Sequence, residues 1–133
     1  MEMTKERLEA YKSNKEEIRE LRYKLDHLGE GDSLIGNDVI KDYRTGYPRP
    51  QSVVGYDYDK EDRLRTTYQA RIQKLEAECA EVELWIEEIP DSLTRRIFRM
   101  RFMDGLSQRN VANKVHLDQS RISRKIGEYL KNA

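Results

Sequence analysis

The part of this chain best equipped to contact a ligand is a short C-terminal stretch rich in arginine, glutamine and serine. Arg121 carries a planar guanidinium that donates to two acceptors at once, and Gln119 carries an amide that both donates and accepts. These groups match the major-groove edges of guanine and adenine, respectively. The residue types therefore indicate recognition of base edges by the side chains expected to face outward: Gln119, Ser120, Arg121, Ser123 and Arg124.

A second set of residues is suited to phosphate rather than to bases. Ser107, Gln108 and Arg109 stand at the expected start of the preceding helix, where free amides and the helix dipole favour an anion. Arg124 and Lys125 are long enough to reach the nucleic-acid backbone beside a groove. Together with the first set, these residues form the predicted DNA-binding surface.

The range 107–129 predicts the two short helices that would position these side chains. Ser107 is placed to cap the first helix and Asp118 the second. Ala112 is small where the helices would cross, and His116 occupies a turn position that requires a left-handed backbone and where glycine is commonest. The side chains expected to form the shared core are Val111, Val115, Leu117, Ile122 and Ile126.

A third helix is predicted between Pro90, which ends the element before it, and the break at Asp104-Gly105. Asp91 or Ser92 caps this helix, which is expected to run to about Met103. Residues 91–133 hold ten Lys and Arg against four Asp and Glu, a formal charge of +6, whereas residues 1–90 carry −6. This asymmetry favours a helix-turn-helix domain over 91–133 that approaches a polyanion, although such units also serve as protein docking modules.

The first ninety residues predict two long helices with one apolar stripe each. Residues 4–28 form the first, with Thr4 as its cap and Gly29 at its end; its stripe comprises Tyr11, Ile18, Leu21, Leu25 and Leu28, with Asn14 on the same face. Residues 60–89 form the second, whose seam alternates four and three apart, as in a coiled coil. The seam comprises Tyr68, Ile72, Leu75, Cys79, Val82, Ile86 and Ile89.

These patterns predict an all-α chain: a long N-terminal helical hairpin or coiled coil (1–90) with an ordered linker (29–59), then the helix-turn-helix domain. The linker is long enough for a parallel or an antiparallel pair of helices. The preferred arrangement is an antiparallel hairpin that dimerises into a four-helix bundle. Trp85, beside the seam, is expected to pack the arm against the C-terminal domain rather than to anchor a partner. The residues assigned to oligomerisation are Tyr68, Ile72, Leu75, Val82 and Ile86.

Composition argues against several other classes of protein. A charged fraction of 38% and a mean hydropathy of −0.94 are typical of solvated helices, and no apolar run is long enough to cross a membrane. The N-terminus lacks a signal-peptide pattern, and the single cysteine, Cys79, reads as a buried small hydrophobe in a cytoplasmic protein. No metal-ligand spacing, cofactor motif or catalytic motif is present, so we expect neither a metal, a cofactor nor an enzyme.

The sequence also resembles known families. Residues 101–131 resemble region four of bacterial sigma-70-type factors, through the run RFMDGLSQRNVANKVHLDQSRISRKIGEYLK. The whole layout resembles small phage-encoded regulators of the ArpU and RinA type through YPRP at 47–50, VVGYD at 53–57 and IEEIPDS at 86–92. His116 departs from the usual glycine and Arg121 from a smaller residue, so promoter preference does not carry over.

The resemblance implies a role in switching phage late or structural genes, with Arg121, Ser123 and Arg124 facing double-stranded DNA. The expected protein is a homodimeric transcription regulator in the bacterial host cytoplasm. Two alternatives stay open at the level of sequence. One is a small terminase-type subunit of a phage packaging machine, and the other is a mimic of sigma region four that binds host RNA polymerase.

Overall fold

The computed structural model describes residues 2–29 and 57–133, and every regular element in those ranges is helical. The all-α prediction is confirmed. The YPRP piece, the VVGYD piece except Asp57, and residues 30–56 of the predicted ordered linker lie outside the described residues. No helix in the described part is both long and apolar enough to cross a membrane.

Two long helices come first. Helix α1 spans Lys5–Asp26, and the Thr4 hydroxyl accepts a hydrogen bond from the Arg7 amide at 3.2 Å, as the capping prediction requires. Gly29 has φ +94°, the left-handed conformation predicted for it. Helix α2 spans Tyr58–Glu87, so it begins two residues earlier than predicted, with the Asp57 carboxylate accepting from the Lys60 amide at 2.9 Å.

Helix α3 spans Ser92–Phe98 and begins where the sequence predicted. Asp91 accepts from the Thr94 amide at 2.9 Å and from its hydroxyl at 2.8 Å. The predicted helix to Met103 changes pitch partway, because Arg99–Met103 is π-helical and the Asp104 amide donates to the Arg99 carbonyl. Gly105, with φ +75°, then ends the segment. The wider turn is the one feature of this helix that the apolar spacing did not indicate.

The last two helices are α4, Gln108–Val115, and α5, Gln119–Asn132. Ser107 accepts from the Asn110 amide at 3.1 Å and therefore caps α4 as predicted. Asp118 stands at the cap position of α5, but its side chain makes no capping hydrogen bond, so that part of the prediction is wrong. Helix α5 packs against both α4 and α3.

The chain forms two compact units, and the division does not fall at Pro90. Unit 1 comprises Met1–Ile18 with Lys74–Ala133, and unit 2 comprises Arg19–Gln73. The predicted domain boundary at 90/91 differs from this division because the end of α2 and the start of α1 share one core with the C-terminal helices. That core holds the most deeply buried large side chains of the described chain: Leu8, Val82, Ile86, Ile89, Ile97, Phe98, Val111 and Ile122.

The seam of α2 is covered within the single chain at three of the positions assigned to oligomerisation. Val82 and Ile86, assigned to oligomerisation, have no exposed surface within the single chain, and Ile72 is 7% exposed. Side chains already covered by their own chain cannot also form an interface with a second copy without opening that core. Tyr68 and Leu75 are half-buried. Cys79 is 3% exposed, which confirms its prediction as a small buried side chain.

Within unit 1, α1 and α2 are joined by polar contacts beside the core. Arg7 donates two hydrogen bonds to Glu78, at 2.7 and 2.8 Å, and a third to Glu81. The buried Tyr11 hydroxyl donates to Glu83. Burial and that hydrogen bond raise the pKa of Tyr11, so the phenol stays neutral and remains a donor. In unit 2, the Tyr23 ring stacks on His27 at 3.9 Å between centroids.

Candidate nucleic-acid interface

Several arginines contribute to the positive charge of residues 91–133 but donate hydrogen bonds to other residues of the same chain. Arg99 donates to both carboxylate oxygens of Glu87, at 2.8 and 2.6 Å, and these bonds lower the pKa of Glu87. Arg95 donates to the Ile89 carbonyl at 2.8 Å, close to the end of α2. Arg101 donates to the Leu106 carbonyl at 3.3 Å. Part of the hydrogen-bonding capacity of these three arginines is therefore used within unit 1.

The N-terminal half of α5 provides an exposed polar surface. Gln119, Ser120, Arg121, Ser123 and Arg124 are all exposed. None of the ion pairs within residues 2–29 and 57–133 includes Arg121 or Arg124. Both guanidinium groups therefore keep their full complement of donors for an external acceptor. All five residues predicted to face outward on this helix do so.

Three cationic side chains of α5 share one shallow cleft. It is lined by Arg121, Arg124, Lys125 and Glu128, spaced three, one and three residues apart along the helix. Residues separated by three, four or seven positions lie on the same side of an α-helix, which is why these long side chains meet. Lys125 is half-buried and lines the cleft.

Lys125 also lies near the start of α3. The pKa of Asp91 is lowered chiefly by the hydrogen bonds from Thr94, with a smaller contribution from the positive charge of Lys125. The Asp91 carboxylate therefore stays ionised near neutral pH and keeps capping α3. One end of α3 is thereby coupled electrostatically to the helix that carries the exposed arginines.

The start of α4 holds the residues predicted to bind phosphate. Ser107 and Arg109 are exposed, whereas Gln108 is half-buried. The Ser107 oxygen accepts from the Asn110 amide, which leaves the hydroxyl hydrogen available to donate outward. The structure thus presents an arginine, a hydroxyl and the positive end of an eight-residue helix on one surface element.

The turn between α4 and α5 fixes how the outward-facing side chains are oriented. His116 has φ +61° and ψ +43°, the left-handed conformation predicted for it. The Leu117 amide donates to the Ala112 carbonyl at 3.0 Å, so the chain reverses tightly after α4. Ala112 is 4% exposed, consistent with its predicted place at the helix crossing. The expected core residues Val111, Ile122 and Ile126 are buried, while Val115 and Leu117 are half-buried.

Three further exposed residues of α5, Gly127, Glu128 and Lys131, were not singled out in the sequence, and one of them, Glu128, lines the cleft. Glu128 follows Arg121 by seven positions, and Lys131 follows Arg124 by seven, so helical spacing alone could have placed both. Gly127 lies between Arg124 and Lys131 and is exposed. Glycine has no side chain from which a chemical role could be predicted.

Residues 2–29 and 57–133 contain no group of three or more His, Cys, Asp or Glu side chains arranged to hold a metal ion. Comparison of the chain with protein-family models, curated proteins and solved structures identifies no match.

Proposed function

We propose that the protein is a sequence-specific DNA-binding transcription regulator that reads the major groove with α5. In this proposal, α3, α4 and α5 act as a helix-turn-helix domain. The observation that carries it is the exposure of Arg121 and Arg124, which form no ion pair with the described residues and lie on a helix that follows a tight left-handed turn. A helix with such side chains on its N-terminal half fits the width of the major groove.

Each part of the surface has a distinct role. Arg121 and Gln119 would contact base edges, because a fork of donors and a bifunctional amide discriminate base pairs there. Ser107, Arg109 and Lys125 would contact phosphates and set the position of α5 on the duplex. The phage late or structural genes are the proposed target, and this assignment rests on the resemblance to ArpU- and RinA-type regulators.

A homodimer that reads two half-sites remains part of the proposal, but its interface would differ from the predicted seam of α2. Val82 and Ile86 are already buried in one chain, so a second copy would have to contact other residues. A monomer would read a single, non-palindromic site. Selection of bound sequences from random duplexes gives both the site and its symmetry in one experiment.

The recognition role is tested by Arg121→Ala on the selected duplex. The variant is expected to bind it roughly 10-fold to 100-fold more weakly and to lose preference at one base pair. Arg71→Ala is the matched control, since it removes the same charge from an exposed position on α2 in unit 2. Equal binding of the selected duplex by Arg121→Ala and by the control would refute the role of α5.

Salt dependence separates DNA binding from protein docking. Each phosphate contact should add about 0.9 to the slope of log affinity against log salt concentration. Replacement of Lys125 by alanine should lower that slope by about 1 and weaken selected and random duplexes equally. An affinity that does not change with salt would instead favour a docking module for a protein such as RNA polymerase.

A further inference from the structure

Gly127 lies in the interior of α5, where glycine is among the least favourable residues for a helix. Glycine is otherwise used where the backbone needs a left-handed conformation or where another group approaches closely. The two described glycines with positive φ are Gly29 and Gly105, so the backbone at Gly127 is ordinary helix. Its conformation gives no reason for the missing side chain.

Packing gives no reason either. A Cβ built at Gly127 meets no atom within 4 Å beyond its own helix backbone and chain neighbours, and the residue is exposed. At Gly105, by contrast, a Cβ would come within 3 Å of the Lys12 side chain. Residues 2–29 and 57–133 thus make no demand for glycine at 127. The open space beside Gly127 is accessible to a molecule outside the chain.

The neighbours of Gly127 indicate what that molecule is. Ser120, Arg124, Gly127 and Lys131 follow one another at four, three and four residues, so they lie along one line of α5. All four are exposed. Bare helix backbone at Gly127 is therefore flanked by a guanidinium one turn earlier and an ammonium one turn later. Two cations with a gap between them match an anionic strand that passes close to the helix.

We propose that Gly127 is a contact site for the sugar–phosphate backbone of DNA, held there by Arg124 and Lys131. This assignment rests on the proposed function and adds a site to it. Without a side chain at 127, the strand approaches the helix backbone closely enough for both cations to reach phosphate oxygens. The contact is to the backbone and not to base edges, so it contributes affinity without sequence preference.

The test combines folding and binding measurements on the full chain with Gly127→Ala and Gly127→Leu. Both substitutions improve helix propensity, so the melting temperature should rise by about 3 °C. Affinity for DNA should fall by roughly 3-fold for alanine and 10-fold or more for the bulkier leucine, because each added atom keeps the strand further away. The loss should be equal on selected and random duplexes.

The matched control is Thr67→Leu, which adds an apolar side chain of good helix propensity at an exposed position of α2. It should leave DNA affinity unchanged. If Gly127→Leu binds like the parent while Arg121→Ala has lost specific binding, the Gly127 site is wrong and the proposed function stands. A parent chain that binds no duplex would overturn both. Lower melting temperatures in both Gly127 variants would show that the fold itself requires glycine, which also overturns the assignment.

Discussion

The indole of Trp85, near the end of α2, meets the phenol ring of Tyr129 in α5 edge-on, with 5.6 Å between ring centroids and 70° between ring planes. The same indole lies 5.6 Å from the ring of Phe98 in α3. Edge-to-face pairs of this kind add to the stabilisation from buried area. One side chain of the long helix thus contacts two of the three C-terminal helices, so α2 is part of the unit that carries the proposed interface.

Replacement of Trp85 by alanine should therefore destabilise unit 1 by about 2–3 kcal/mol, because it removes two aromatic contacts and leaves a cavity. The measurement is urea-induced unfolding followed by far-ultraviolet circular dichroism, which does not depend on the lost indole. Leu84→Ala is the control, since Leu84 is the adjacent residue and is 61% exposed; its effect should stay within about 0.5 kcal/mol. Equal effects of the two substitutions would show that Trp85 does not join α2 to the C-terminal helices.

Local rules predicted the helix boundaries because the residues that set them act within a few positions. Asp91 and Ser107 bond amides three residues later, and His116 takes the left-handed turn expected of a position where glycine is commonest. The exposed residues on the N-terminal half of α5 were predicted in the same way, from their positions relative to the start of the helix. Asp118 is the exception, because a suitable residue at a cap position does not ensure that its carboxylate turns toward the amides.

The spacing of an apolar stripe does not show whether the stripe packs against a second chain or against the rest of its own chain. The periodicity of α2 correctly marked Val82 and Ile86 as buried, but a coiled-coil seam and an intramolecular core have the same pattern. Residues distant in sequence contact α2 within the chain, as Phe98 does at Trp85 and Arg7 does at Glu78. Pro90 ends a helix, but residues on both sides of it belong to the same compact unit, because a helix-ending proline interrupts an element and not the packing around it.

Gly105 allows a prediction that separates backbone strain from steric contact. Gly105→Ala should destabilise the protein by about 1–2 kcal/mol, because φ +75° places an L side chain in the left-handed region. An added Cβ would also lie 2.8 Å from Lys12 Nζ and 2.9 Å from Lys12 Cδ. Those atoms belong to the flexible end of a side chain and can move away, so backbone strain should dominate.

The double variant Gly105→Ala with Lys12→Ala distinguishes the two causes by thermal unfolding. If strain dominates, removal of the Lys12 side chain should recover little of the lost stability. Gly105→Asn should be less destabilising than Gly105→Ala, because asparagine tolerates the left-handed region better. Full recovery in the double variant would instead show that contact with Lys12 is the main effect.

The bond between Arg7 and Glu78 predicts a dependence of stability on pH. Hydrogen bonds from Arg7 lower the pKa of Glu78 below its ordinary value of 4.5. A carboxyl group with a lowered folded-state pKa contributes stability above its unfolded pKa, and that contribution is lost as pH falls through the folded value. The side chains are 18% and 29% exposed, so solvent screening limits the contribution to about 1 kcal/mol or less.

Glu78→Gln should thus lower the free energy of unfolding at pH 7, and its difference from the parent should shrink as pH falls below about 4. Urea titrations at a series of pH values measure this difference directly. Glu20→Gln, which removes an exposed carboxylate of α1, should show little difference from the parent at any pH. A parent–variant difference for Glu78→Gln that persists undiminished in acid would mean that side-chain packing, rather than the charged hydrogen bonds from Arg7, stabilises this contact between α1 and α2.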